Sequence, residues 1–135
     1  FDLSNLDIQT CATLAGSPLR SARPVAQAVH EFERSALDDA VDRLGRPALA
    51  LHATPQTDLA GWARAAGAAQ IVTPYIPEGP LRDWLRPQLA DLEANGISFV
   101  ELRRDWDDTI WPHATAGFFK MKRRIPEILA TAGVC

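Results

Sequence analysis

The sequence predicts an α/β fold, an open parallel sheet flanked by helices, and three observations carry that expectation. Short apolar runs alternate with segments of helical period beyond Gly45, the pattern of strands joined by crossover helices. Each run is almost continuously apolar, as strands covered on both faces are. The helical segments stop at Gly45, Gly67 and Gly96, and glycine accepts the left-handed backbone that ends a helix. The arrangement is Rossmann-like, with three strands joined by right-handed crossovers; either Leu6–Thr10 supplies a fourth, opening strand or that strand lies outside this chain.

The elements follow in order. Leu6–Thr10 is read as a short strand or extended arm, closed by Ser17-Pro18. From Pro24 to Leu44, the residues Val25, Ala28, Val29, Phe32, Ala36, Ala40, Val41 and Leu44 recur at three- and four-residue steps. They define an inward helix face, opposite Glu31, Glu33, Arg34, Asp38, Asp39 and Arg43. Ala48–Ala53, Ala69–Thr73 and Ile97–Leu102 are the strands. Thr57–Ala66 is a helix capped by Thr57 or Asp58, and Leu81–Asn95 is a second, which Pro87 should kink or split. A loop with Trp106 and Trp111 follows, then a helical segment over Gly117–Ala130 that Pro126 should break or restart. The organisation expected is a lead-in arm over 1–23, an α/β domain over 24–116, and a helical or linker segment over 117–135.

Composition narrows the class. A chain of 135 residues, 47% hydrophobic and with net charge −3, is neither disordered, collagen-like nor a disulfide-dense mini-protein. The mild acidity argues against a free-standing nucleic-acid binder, although not against a module of one. Cys11 and Cys135 are the two thiols; a reduced cytoplasmic protein is expected, and a bond between the two ends is left open. No apolar run reaches the roughly 18 residues of a membrane span, so no membrane partner is expected. Because the first residue is Phe1, the chain is read as a piece of a longer protein or a processed product.

Catalytic motifs are missing: no phosphate-binding glycine loop, nucleophile elbow or metal cluster occurs. His30-Glu31 opens like a zinc helix, but Arg34 stands where a second histidine is required, so a solvated helix face explains it and no metal is expected. In open α/β sheets ligands bind outside the carboxyl ends of the strands. This rule makes His52 a candidate and places the loops 52–56, 73–79 and 103–108 along one edge. The loop Thr73-Pro74-Tyr75-Ile76-Pro77-Glu78-Gly79-Pro80 sets a hydroxyl, a phenol, a carboxylate and peptide groups ahead of a helix start, where an anion or the polar edge of a planar ligand can bind. Thr73, Tyr75, Ile76 and Glu78 are its candidate ligand contacts; a proline-stiffened turn is the plain alternative. The stretch from Trp106 to Arg124 interleaves aromatics with Lys120, Lys122, Arg123 and Arg124. That is compatible with a nucleic-acid surface, but Phe118, Phe119, Met121 and Ile125 are expected to bury against this domain or a neighbour. Asp105, Asp107, Asp108 and His113 are read as a solvated acidic loop.

From Phe32 onward the chain resembles the α/β domain of the DNA photolyase and cryptochrome family. The elements that carry the resemblance are Leu37–Leu44, Leu49–His52, Gly67–Val72, Tyr75 and Pro77, Arg82-Asp83 and Gly96-Ile97, followed by the aromatic Gly117-Phe118-Phe119-Lys120. The resemblance implies a module of a flavoprotein for light-dependent DNA repair or photoreception, whose α/β domain can hold a folate or deazaflavin antenna. It implies FAD only in a separate helical domain of the same or a longer chain, DNA contact through the full-length protein, and no catalysis by this chain alone. The family's Arg-rich opening strand is absent, and Gly79 occupies the place of an acidic residue found in folate-binding members, with Glu78 one position earlier. The rival readings are a nucleotide-binding α/β domain of universal-stress type and a small hydrolase built from His52, Asp107 and His113.

Overall fold

The structure, a computed structural model, describes residues 3–133. Its fold is α/β, with helices and parallel strands in two small sheets. The chain divides into two compact units at Glu101–Leu102. Cys135, whose pairing with Cys11 the sequence leaves open, lies outside the described residues.

In the larger unit, β1 (Ala12–Ala15) pairs in parallel with β2 (Leu49–His52), in the register Ala12 to Leu49 through Ala15 to His52. Parallel pairing demands a long return path, and α1 (Gln27–Leu44) supplies it. β3 (Gln70–Pro74) pairs with β4 (Ser98–Leu102) across α3 (Pro80–Ala94), and α2 (Leu59–Ala65) links the two sheets. The strands thus form two pairs instead of one continuous sheet. The first strand is Ala12–Ala15, not Leu6–Thr10. In Ala12–Ala15 every residue is small or apolar and half-buried, whereas Asp7 and Gln9 are exposed and bond each other at 2.8 Å. A ladder through 6–10 would have to bring those polar side chains into the sheet.

Two burial expectations are overturned. β2 is not covered on both faces: Leu49 is 51% exposed, and Leu51 is its one residue packed on the core. The reason is that α1 packs on β1 and the 3-10 turn Ser17–Arg20. α1 is also rotated from its apolar stripe. Its half-buried side carries His30, Glu33, Leu37, Ala40 and Val41, while Phe32 is 76% exposed. Glu33 sets this rotation. Its carboxylate accepts the Gly16 and Ser17 amides, each at 2.9 Å, and the Ser17 hydroxyl at 2.6 Å. Hydrogen bonds to a charged group contribute about 1.5–3 kcal/mol each, so three of them outweigh the roughly 1.5–3 kcal/mol from burying one phenyl ring. Burial pushes the Glu33 carboxyl up, but the Ser17 and Gly16 hydrogen bonds and the Arg20 charge prevail and hold it below its ordinary value.

The core gathers Leu59, Ala60 and Ala63 of α2, Leu85 and Leu92 of α3, and Ile97. Small residues on α2 let α3 approach, and Leu85 and Leu92 lie seven apart on one face of α3. Pro87 does not split α3, which runs unbroken to Ala94. It sits on the exposed side, while the two leucines hold both halves of the helix in the core. Asp58 is the cap of α2, accepting the Gly61 amide at 2.7 Å. Gly45 closes α1 at φ 66°, its N–H reaching the Val41 and Asp42 carbonyls.

The smaller unit contains α4 (Asp105–Ile110), a 3-10 turn at Trp111–His113, α5 (Phe118–Lys122) and α6 (Ile125–Thr131). Residues 105–110, expected as a loop, are helical. Asp105, Asp107 and Asp108 fill the first turn, where carboxylates complement the helix dipole. Arg104 reaches Asp107 at 2.7 Å and Arg103 reaches Asp108 at 3.0 Å. Pro126 does restart the helix, standing in the first turn of α6. Ile128 is buried, but Phe118, Phe119 and Ile125, expected to bury against this domain or a neighbour, are 65%, 79% and 37% exposed, so none of the three buries within this chain. α5 is too short to turn both rings inward together with Met121, the residue it does half-bury. Among the described residues no helix is long and apolar enough to cross a membrane.

Candidate functional site

α3 organises the site because its side chains reach back to the loops that leave two strands. The loop after β3 spans Tyr75–Gly79 and enters α3 through Pro80. Gly79 stands at φ 144°, a conformation that side chains rarely tolerate. Pro80 suits the first helical turn, where its missing N–H costs nothing.

Glu101, near the carboxyl end of β4, meets Arg82 of α3 in a bidentate pair, with Nη1 at 2.9 Å and Nη2 at 2.6 Å from its two oxygens. The same carboxylate accepts the Ile76 amide at 2.8 Å, and Arg82 Nη2 also donates to the Ile76 carbonyl. Both peptide groups of Ile76 are therefore held by one ion pair. The guanidinium also lies over the Tyr75 ring, 5.6 Å from its centroid. The pair is largely shielded, with side chains 12% and 22% exposed. Its hydrogen bonds to Glu101 raise the Arg82 pKa further. Burial pushes the Glu101 carboxyl up, but Arg82 and the Ile76 amide outweigh this and hold it below the ordinary range. Arg82 Nε is buried with no hydrogen-bond partner among the described residues.

The loop after β2 is bound to the same helix. Trp84 Nε1 donates to the Thr54 carbonyl at 3.0 Å, and Gln88 Nε2 to the Thr57 carbonyl at 2.8 Å. Thr57 Oγ in turn donates to the His52 carbonyl. Two loops that the topology sends to strand carboxyl ends are thus fixed by Arg82, Trp84 and Gln88 of one helix, while the 103–108 stretch belongs to the other unit.

Of the residues singled out in the sequence, Tyr75 and Ile76 come together at the Arg82–Glu101 pair. Glu78 is exposed at the outer end of the loop and pairs with Arg86 at 2.7 Å, an exposed contact of the kind that contributes about 0–1 kcal/mol. Thr73 is half-buried inside β3. His52 is exposed at the end of β2, in the other strand pair. Sequence reading missed the role of Glu101, Trp84 and Gln88, and took Arg82 only as part of a family pattern. The one available signal was a carboxylate inside the apolar run Ile97–Leu102, since a charge in such a strand needs a partner.

The arrangement offers an aromatic ring, a fixed peptide segment and an exposed carboxylate. Asp107 and Asp108, read in the sequence as part of a solvated acidic loop, are paired with arginines, and Arg104 holds the Asp107 carboxyl below its ordinary value. Among the described residues no group of three or more His, Cys, Asp or Glu side chains could hold a metal ion. An open depression of about 480 Å³ lies elsewhere, between the end of α3 and the amino end of β4, lined by Leu89, Glu93, Gly96, Ile97, Ser98 and Phe99. It is at the wrong end of the strand for the ligand rule of open α/β sheets. No protein-family model, no curated protein and no solved structure matches this chain, which leaves the geometry of the loops on α3 as the ground for a functional reading.

Proposed function

We propose that the chain is the α/β module of a photolyase/cryptochrome-like flavoprotein, serving light-dependent DNA repair or photoreception in the cytoplasm. It binds a planar antenna chromophore, a folate or a deazaflavin, along Thr73–Glu78, and packs on a helical flavin-binding domain that carries FAD and, with the full-length protein, meets DNA. The observation that supports this reading best is the anchoring of the 75–79 loop by Arg82 and Glu101. Such a loop is pre-formed, so a ligand need not be charged with the entropy of ordering it. The residues present suit a planar heterocycle. Tyr75 provides a ring face, Glu78 accepts from ring N–H groups, and the otherwise unpartnered Arg82 Nε adds a buried donor behind the loop. When bound, the antenna absorbs blue or near-ultraviolet light and passes the excitation on; this chain holds and orients it and does no bond chemistry.

The test is titration of the purified protein with a reduced folate and with a deazaflavin, followed by absorbance and fluorescence quenching. Saturable binding, weakened by Tyr75→Ala and Glu78→Gln, supports the reading. Failure of both pigments to bind, together with a rise in melting temperature on adding adenine nucleotides, would replace it with a nucleotide-binding α/β domain.

A further inference from the structure

We propose that the outward face of α5 docks single-stranded nucleic acid. A helix turns 100° per residue, so Phe118 and Lys122 share one line of α5, and Phe119 and Arg123 share the next, since Arg123 continues the helical backbone. Met121 points the other way. Burial agrees: Met121 is half-buried, the two rings are 65% and 79% exposed, and Lys120, Lys122 and Arg123 are exposed. The rings meet edge to face at 5.7 Å. Arg124 is engaged by Glu127 at 2.9 Å, but among the described residues no ion pair takes up Lys120, Lys122 or Arg123.

The partner follows from the chemistry of this face. The chain is acidic, with net charge −3, yet Lys122, one of its two lysines, stands here beside Arg123, with Lys120 at the edge of the face. Surface charges act over about 10 Å at ordinary salt, so this local cationic cluster calls for an anion whatever the net charge. Two adjacent rings with two cations one turn further along the same face match a polymer that carries flat bases beside phosphates, with bases stacking on the rings and phosphates meeting the cations. A duplex hides its base faces, and a bilayer offers anions without flat rings; two phenyl rings on a five-residue helix insert little apolar surface into it. The inference is independent of the chromophore loop, because no residue of that loop takes part.

Fluorescence anisotropy of a labelled oligothymidylate with the full chain, at several salt concentrations, tests it. Expected are saturable binding, a log–log salt slope of about −1.4 for two phosphates, and weaker binding to a duplex of equal length. Phe118→Ala and Phe119→Ala should each weaken binding about tenfold with an unchanged circular dichroism spectrum, since both rings are outside the core. Lys122→Gln should shallow the slope by about 0.7. The proposal is overturned if the oligonucleotide does not bind, or if the ring variants bind as tightly as the parent chain. Displacement of the oligonucleotide by phosphatidylserine vesicles, or a dimer dissolved by the ring substitutions, would equally overturn it in favour of a membrane or a second copy.

Discussion

Glu101→Gln separates a structural clasp from an incidental ion pair. The substitution preserves shape but removes the charge facing Arg82, and the new amide can satisfy only part of the three donors that Glu101 now accepts, two from Arg82 and one from Ile76. Breaking one side of a buried pair costs about 3–5 kcal/mol. Glu101 is 22% exposed, so solvent screening lowers this to about 2–3 kcal/mol. At roughly 4 °C per kcal/mol for a domain of this size, the melting temperature should fall by about 10 °C. Hydrogen exchange should show the Ile76 amide losing protection before the core amides do. The pH dependence has a definite sign. Glu101 is held below its ordinary value in the folded chain, so its contribution is present above the unfolded carboxyl pKa and fades as pH falls through the folded one. The stability difference between parent and variant should therefore shrink in acid. A melting temperature within about 1 °C of the parent, with Ile76 protection unchanged, would refute the reasoning.

Other expectations follow from the same contacts. Glu33→Gln should destabilise by about 1–2 kcal/mol at neutral pH, since it weakens the acceptor for Gly16 and Ser17; chemical denaturation at two pH values should show the loss diminishing in acid, because the folded pKa is lowered. Phe32→Ser should change stability by less than about 0.5 kcal/mol, as the ring is 76% exposed, and a loss above about 2 kcal/mol in urea unfolding would contradict the observed rotation of α1. Leu85→Ala, at a residue 1% exposed, should cost about 3 kcal/mol by the same measurement.

What was legible in the sequence was what depends on neighbours along the chain. The positions of α1 and α3, the strands near 49–52, 70–74 and 98–102, the stop at Gly45, the cap at Asp58 and the restart at Pro126 all stand close to where the sequence puts them. Each is set within a few residues by period, by a cap or by proline's missing N–H. Harder to read were the first strand and α4. Four half-buried residues, Ala12–Ala15, become a strand only because β2 lies beside them, and the acidic first turn of α4 resembles a solvated loop until Arg103 and Arg104 are seen to pair with it.

The candidate site divides the same way. Its loop was visible as prolines, a tyrosine and a carboxylate ahead of a helix. Its rigidity was not, because Arg82 and Glu101 stand nineteen residues apart and Trp84 reaches Thr54 across thirty. The sequence alone determined the α/β class, the helix ends and the loop that faces a strand's carboxyl end, since these follow from local backbone preference and the spacing of apolar residues. Only the tertiary structure decided that the strands form two pairs, that α1 turns Glu33 inward and leaves Phe32 in water, and that α3 clasps two loops. Those outcomes depend on buried charges finding partners remote in sequence, and a few hydrogen bonds to a carboxylate outweigh the pull of an apolar stripe.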